Sequence, residues 1–138
     1  MWISFVRQKK LKMEKKGIIE IHSEVSEWMS KLDFYRHDIT IMEKRLSEVA
    51  FRNNSKEVSP LIEHFQNQLI LQREQIDILE KDVRYYDHLL EDNIIGNPVA
   101  INRRKVEENL LLKDNVETFE RIFRDLRTDL LDFAAKWM

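Results

Sequence analysis

Four histidines, His22, His37, His64 and His88, and 25 Asp and Glu residues are the side chains with which this chain could do acid–base or metal chemistry. Carboxylate-bridged metal sites in helical bundles need Glu-x-x-His, which sets both ligands on one helical face, and zinc hydrolases need His-Glu-x-x-His. Neither spacing occurs. There is no Cys, so disulfides, thiolate nucleophiles, Cys-bound zinc and iron–sulfur clusters are excluded. Two Gly in the whole chain leave no material for a glycine-rich phosphate loop. General acid–base catalysis needs a titratable pair shielded from water, and no such interior pair is legible. The expectation is a non-enzymatic protein without cofactor, metal or small-molecule substrate.

The elements that would carry any site are long helices. The chain has 138 residues, enough for one ordinary domain, with 43% hydrophobic and 35% charged residues. Only two Gly and two Pro occur, too few turn-formers for an all-β fold. They fall at Gly17, Pro60 and the Gly96/Pro98 pair and divide the chain into a basic N-terminal arm, 1–17, and a body, 18–138. Ser59 before Pro60, and Asn97 before Pro98, read as N-caps followed by Pro at the first helical position. Helices are therefore expected at about 18–52, 60–94 and 98–137, with the polar run 52–56 as the first turn.

Apolar residues recur at alternating spacings of three and four along all three segments. The first runs from Ile21 through Trp28 and Ile39 to Val49, the second from Val58 to Leu90, the third from Asn109 to Trp137. Such a seam belongs to coiled-coil-like heptad packing, with the apolar residues at positions a and d. Short turns make consecutive helices antiparallel neighbours, and one register aligns both turns. The fold class expected is all-α, an antiparallel three-helix bundle, which resembles spectrin repeats and syntaxin-type domains in architecture alone. No motif of either family occurs. Two seam positions are polar, Gln72 and Asn109. Buried amides of this kind tolerate few alignments, so both are read as register-setting, with the Trp28 indole as the partner expected for Asn109.

The flanking e and g positions carry the charges that choose the winding. An e-to-e contact between the second and third helices sets Arg73 near Glu120 and Glu80 near Lys113. A g-to-g contact between the first and second sets Lys31 near Asp82, whereas e-to-e would oppose Arg36 and Arg73. On that winding His22, although level with Asp87, does not face it. Phe34, Ile41, Leu71, Ile78 and Tyr85 all fall at position c, beyond g and outside the core stripe. They are expected to line one outer groove of the first and second helices. Large apolar side chains gathered on a surface mark an interaction site, so these five are the candidate partner-binding residues. The occupant would be a partner helix or a second copy in a homodimer.

The arm has another character. Arg7, Lys9, Lys10, Lys12, Lys15 and Lys16 stand beside Trp2, Phe5 and Val6, while the rest of the chain is acidic enough to bring the net charge to -2. These six are candidate polyanion-binding residues, and nucleic acid or an anionic membrane surface is the alternative partner. Met13 is an alternative start, which would remove most of the arm. The first residues place apolar groups before charges, the reverse of a secretory signal, and no run reaches transmembrane length, so a cytoplasmic location is expected.

Overall fold

The three apolar-periodic segments, free of Pro beyond the first turn and of internal Gly, form three α-helices: α1 Ile18–Arg52, α2 Ser59–Gly96 and α3 Arg103–Trp137. The computed structural model describes residues 4, 18–53, 55–96 and 103–138, and within these the side chains of all but 18, 19, 92–96 and 103–105. The Asn97–Pro98 cap, the expected first turn of α3 and the arm's basic residues lie outside the described residues.

The protein is an all-α three-helix bundle. Every seam residue from Ile21 onward is buried except Tyr35, Leu126 and Trp137, which are half-buried. Withdrawing one Leu or Ile side chain from water contributes about 1.5–3 kcal/mol, so this repeated burial is the main favourable term. The chain divides into two compact units. Unit 1 joins the N-terminal part of α1, as far as Lys31, to Leu79–Val116, and unit 2 joins Leu32–Ile78 to Glu117–Met138. Ile21, Trp28, Val83, Tyr86 and Leu90 make the centre of unit 1. Unit 2 is richer in aromatics: Tyr35 lies edge-on to Phe119 at 5.5 Å and tilted against Phe123 at 5.0 Å, and Phe65 meets Phe133 at 5.0 Å.

The start of α2 differs from the cap inferred at Ser59. The Ser55 hydroxyl accepts from the Glu57 amide at 3.1 Å, and the Ser55 carbonyl accepts from the Ser59 amide at 3.4 Å. Ser55 therefore occupies the N-cap position, where a side-chain oxygen satisfies an early amide with no carbonyl below it. Pro60 is the second residue of α2 and has no N–H to donate to the Lys56 carbonyl.

Cross-helix pairs fix direction and winding. Within unit 2, Arg36 pairs with Asp77 at 2.7 Å and Arg73 with Glu43, so α1 and α2 run in opposite directions. Tyr35 donates to Glu120 at 3.0 Å and Arg127 to Asp38 at 2.9 Å, so α1 and α3 run the same way. In unit 1, His22 Nδ1 lies 3.1 Å from Asp87 Oδ1. His22, Arg36, Glu43, Arg73 and Asp87 are all e positions. In both units α1 therefore meets α2 through its e side, the reverse of the winding expected. The Arg36–Arg73 repulsion that argued against this side does not arise, because each guanidinium has its own carboxylate. The g side of α1 faces α3, where Asp38 at g meets Arg127 at e. The predicted contacts Arg73 with Glu120 and Lys31 with Asp82 are replaced accordingly: Arg73 bonds Glu43, Glu120 accepts from Tyr35, and Lys31 pairs along its own helix with Glu27 at 3.6 Å.

Candidate functional site

The winding decides where the exposed apolar residues lie. Position c is on the g side of a heptad, and the e sides of α1 and α2 are the ones in contact. In unit 2, Phe34 and Ile41 therefore project on the flank of α1 that borders α3, and Leu71 and Ile78 on the flank of α2 that borders α3. The single α1–α2 groove expected to hold Phe34, Ile41, Leu71, Ile78 and Tyr85 is corrected: these residues divide between the two flanks of α3. Each is nonetheless exposed, from Ile41 at 48% to Phe34 at 64%.

On the α2–α3 flank they acquire neighbours the sequence reading passed over. In unit 2, Ile122 at a g position of α3 and Leu61 at a g position of α2 are exposed on the same flank as Leu71 and Ile78. In unit 1, Tyr85 and the exposed Leu111 stand on opposite walls of an open cavity of about 210 Å³, completed by Asp82, Tyr86, Glu108, Leu112 and Asn115. Leu111 and Ile122 could have been found from the sequence, since both are large apolar residues outside the seam. They were missed because the α2–α3 contact was assigned to the e sides. A second depression, about 480 Å³, is lined by Lys44, Ser47, Glu48, Phe51 and Arg52, all from α1. It is the surface around the exposed Phe51 rather than a cleft between elements.

Next to the residues that line the unit 1 cavity, one core position is polar. Asn109 is buried and donates from Nδ2 to Glu24 Oε1 at 3.2 Å, so its amide engages a carboxylate on α1 and not the Trp28 indole expected. Burial pushes the Tyr86 phenol up to about 12, with Glu24 and Glu108 adding to the shift and Asn109 opposing it. In unit 2, burial and the hydrogen bond to Glu120 raise the Tyr35 phenol to about 12. Gln72 is buried as expected, yet its Oε1 accepts no hydrogen bond.

Among the described residues no cluster of three or more His, Asp or Glu could hold a metal ion. His22 and His88 pair with Asp87 and Glu91, and His64 lies edge-on to Phe65 at 5.4 Å. No helix among the described residues is long and apolar enough to cross a membrane. Arg7, Lys9, Lys10, Lys12, Lys15 and Lys16 fall outside the described residues. Comparison with family models, with curated proteins and with solved structures finds no match for this chain.

Proposed function

We propose that this chain is a non-enzymatic interaction module, a bundle of coiled-coil type that holds another protein chain against the α2–α3 side. The observation that carries this reading is the heptad pair Leu71 and Ile78 on α2 in unit 2, each about half exposed, on the flank that also exposes Leu61 and Ile122. Burial of a bundle core does not require large apolar groups there, and removing them from water on docking would supply the driving force. The spacing suits an amphipathic helix laid alongside, whether from a different protein or from a second copy forming a homodimer. A cytoplasmic setting is part of the same proposal.

Light scattering on the wild type and on a Leu71→Asp, Ile78→Asp variant tests it. The reading expects an assembly larger than one chain to fall to the mass of one chain, with helical circular dichroism retained. A variant that keeps the larger mass contradicts docking through this side of α2.

A further inference from the structure

The α2–α3 flank of unit 2 has two unlike banks. On α2 the c and g positions are Leu61, His64, Gln68, Leu71, Gln75 and Ile78, without an Asp, Glu, Lys or Arg in a chain that is 35% charged. Leu61, Leu71 and Ile78 are exposed there, and Ile122 joins them from α3. The contact of Phe65 with Phe133 at 5.0 Å fixes the level of the two helices. Counted from it in antiparallel steps, Leu71 stands about level with Asp125, Gln68 with Asp129 and His64 with Asp132. These three exposed carboxylates occupy c, g and c of α3. Spaced by four and three residues, they form one row about 10 Å long at 1.5 Å per residue. Apart from Asn54, every residue of unit 2 is among those described, and none forms an ion pair with Asp125, Asp129 or Asp132. Arg121, one turn before Asp125, is no exception. Lys136 is the only Lys or Arg at a c or g position of either bank, and its ammonium lies over the Trp137 ring at 5.8 Å.

We propose that this flank takes a cationic amphipathic helix from a partner protein. The partner's apolar row lies against Leu71, Ile78 and Ile122, and a neighbouring row of Lys or Arg, spaced by four and three residues, lies along Asp125, Asp129 and Asp132. The inference rests on the interaction-module reading and adds the partner's chemistry to it; the larger assembly is then the complex with that partner. The apolar row supplies the area removed from water, and the acidic row selects the sign of the partner and its orientation. Lys and Arg suit the edge because their methylene stems cover apolar surface while their heads reach the carboxylates. Two copies meeting flank to flank do not supply such a row. A two-fold axis across the helices would set α3 against α3 and the carboxylates against their own kind. An axis along the helices would set them against the α2 bank, which has no Lys or Arg, and withdrawing carboxylates from water without a counter-charge is costly.

The test uses the full chain, isotopically labelled, and two helical peptides of one composition. Both carry a row of Leu; one sets its Lys residues beside that row, the other on the opposite face. The first is expected to shift the nuclear magnetic resonance signals of Leu71, Ile78 and Ile122 and to bind about tenfold more tightly than the second, with the gap narrowing as salt rises. Asp125→Asn, Asp129→Asn and Asp132→Asn together should close most of the gap. Asp33→Asn, Glu63→Gln and Glu74→Gln, which remove the same charge from other faces, should leave it. All six positions are exposed, and circular dichroism confirms that each variant is folded. Equal binding of the two peptides, or a gap that survives the first variant, overturns the cationic partner while docking on this flank stands. If neither peptide moves those signals but Leu71→Asp, Ile78→Asp lowers the mass of the chain alone, the flank belongs to a second copy and the inference falls. If neither peptide moves them and the mass is unchanged, the interaction-module reading falls with it.

Discussion

Arg127 Nε donates to Asp38 Oδ2 at 2.9 Å, and the two residues are unequally placed: the Asp38 side chain is 9% exposed, that of Arg127 46%. The pair joins α3 to α1 in unit 2 and marks the contact of a g position with an e position. Removing either partner has a different cost, because the buried carboxylate cannot be rehydrated where it stands, whereas the guanidinium can. Arg127→Ala should therefore destabilise the protein by about 1–3 kcal/mol, and Asp38→Ala by less. Urea unfolding of the two variants at neutral pH measures the order, and the reverse order contradicts this account.

Asn53 joins two helix ends. Its Nδ2 donates to the Val49 carbonyl at 2.9 Å and to the Trp137 carbonyl at 2.8 Å, satisfying acceptors near the C-termini of α1 and α3. Asn53→Ala should cost about 1–2 kcal/mol. Asn53→Asp should cost at least as much, since a carboxylate cannot donate and would face two carbonyl oxygens. Thermal unfolding compares the pair, and an Asp variant as stable as the wild type would show that the two bonds contribute nothing.

The winding makes a prediction for charge swaps. Arg73→Glu alone should destabilise, and the exchange Glu43→Arg with Arg73→Glu should recover about 0.2–1 kcal/mol of coupling, the range for exposed pairs. The analogous exchange at Lys31 and Asp82 should show no coupling. A double-mutant cycle by chemical denaturation reads both.

Tyr35 and Tyr86 link stability to alkaline pH. Each phenol titrates near 12 in the folded chain against about 10 when unfolded. Their contribution is fully present below pH 10 and is lost as pH rises through about 12, because the unfolded chain releases these protons first. Unfolding midpoints should accordingly fall above pH 10, and Tyr86→Phe should flatten that fall. An ultraviolet titration in which Tyr35 and Tyr86 ionise near 10 would refute it.

The three helices and the apolar seam were legible in the sequence because each rests on many residues: a slip of one position would expose the whole stripe from Ile21 to Val49. The winding rested on a few exposed charges worth tenths of a kcal/mol each, and long side chains can answer them from either side. Arg36 reaches Asp77, a b position, and escapes the clash with Arg73. Because the groove was derived from the winding, the error carried over: Phe34 and Ile41 parted from Leu71, Ile78 and Tyr85, and Leu111 and Ile122 went unnoticed. Asp38 and Asn53 carried no sequence signal beyond polarity at a flank and at a turn. Their roles depend on which helix stands beside them.

The placement of the apolar side chains relative to α3 is tested most directly by paired spin labels in unit 2, at positions 34 and 78 in one sample and 78 and 118 in another. With Ile78 and Thr118 on the two banks of the α2–α3 flank, and Phe34 beyond α3, the 78–118 pair should be the closer. A shorter separation for 34 and 78 would restore a shared α1–α2 groove and contradict the account.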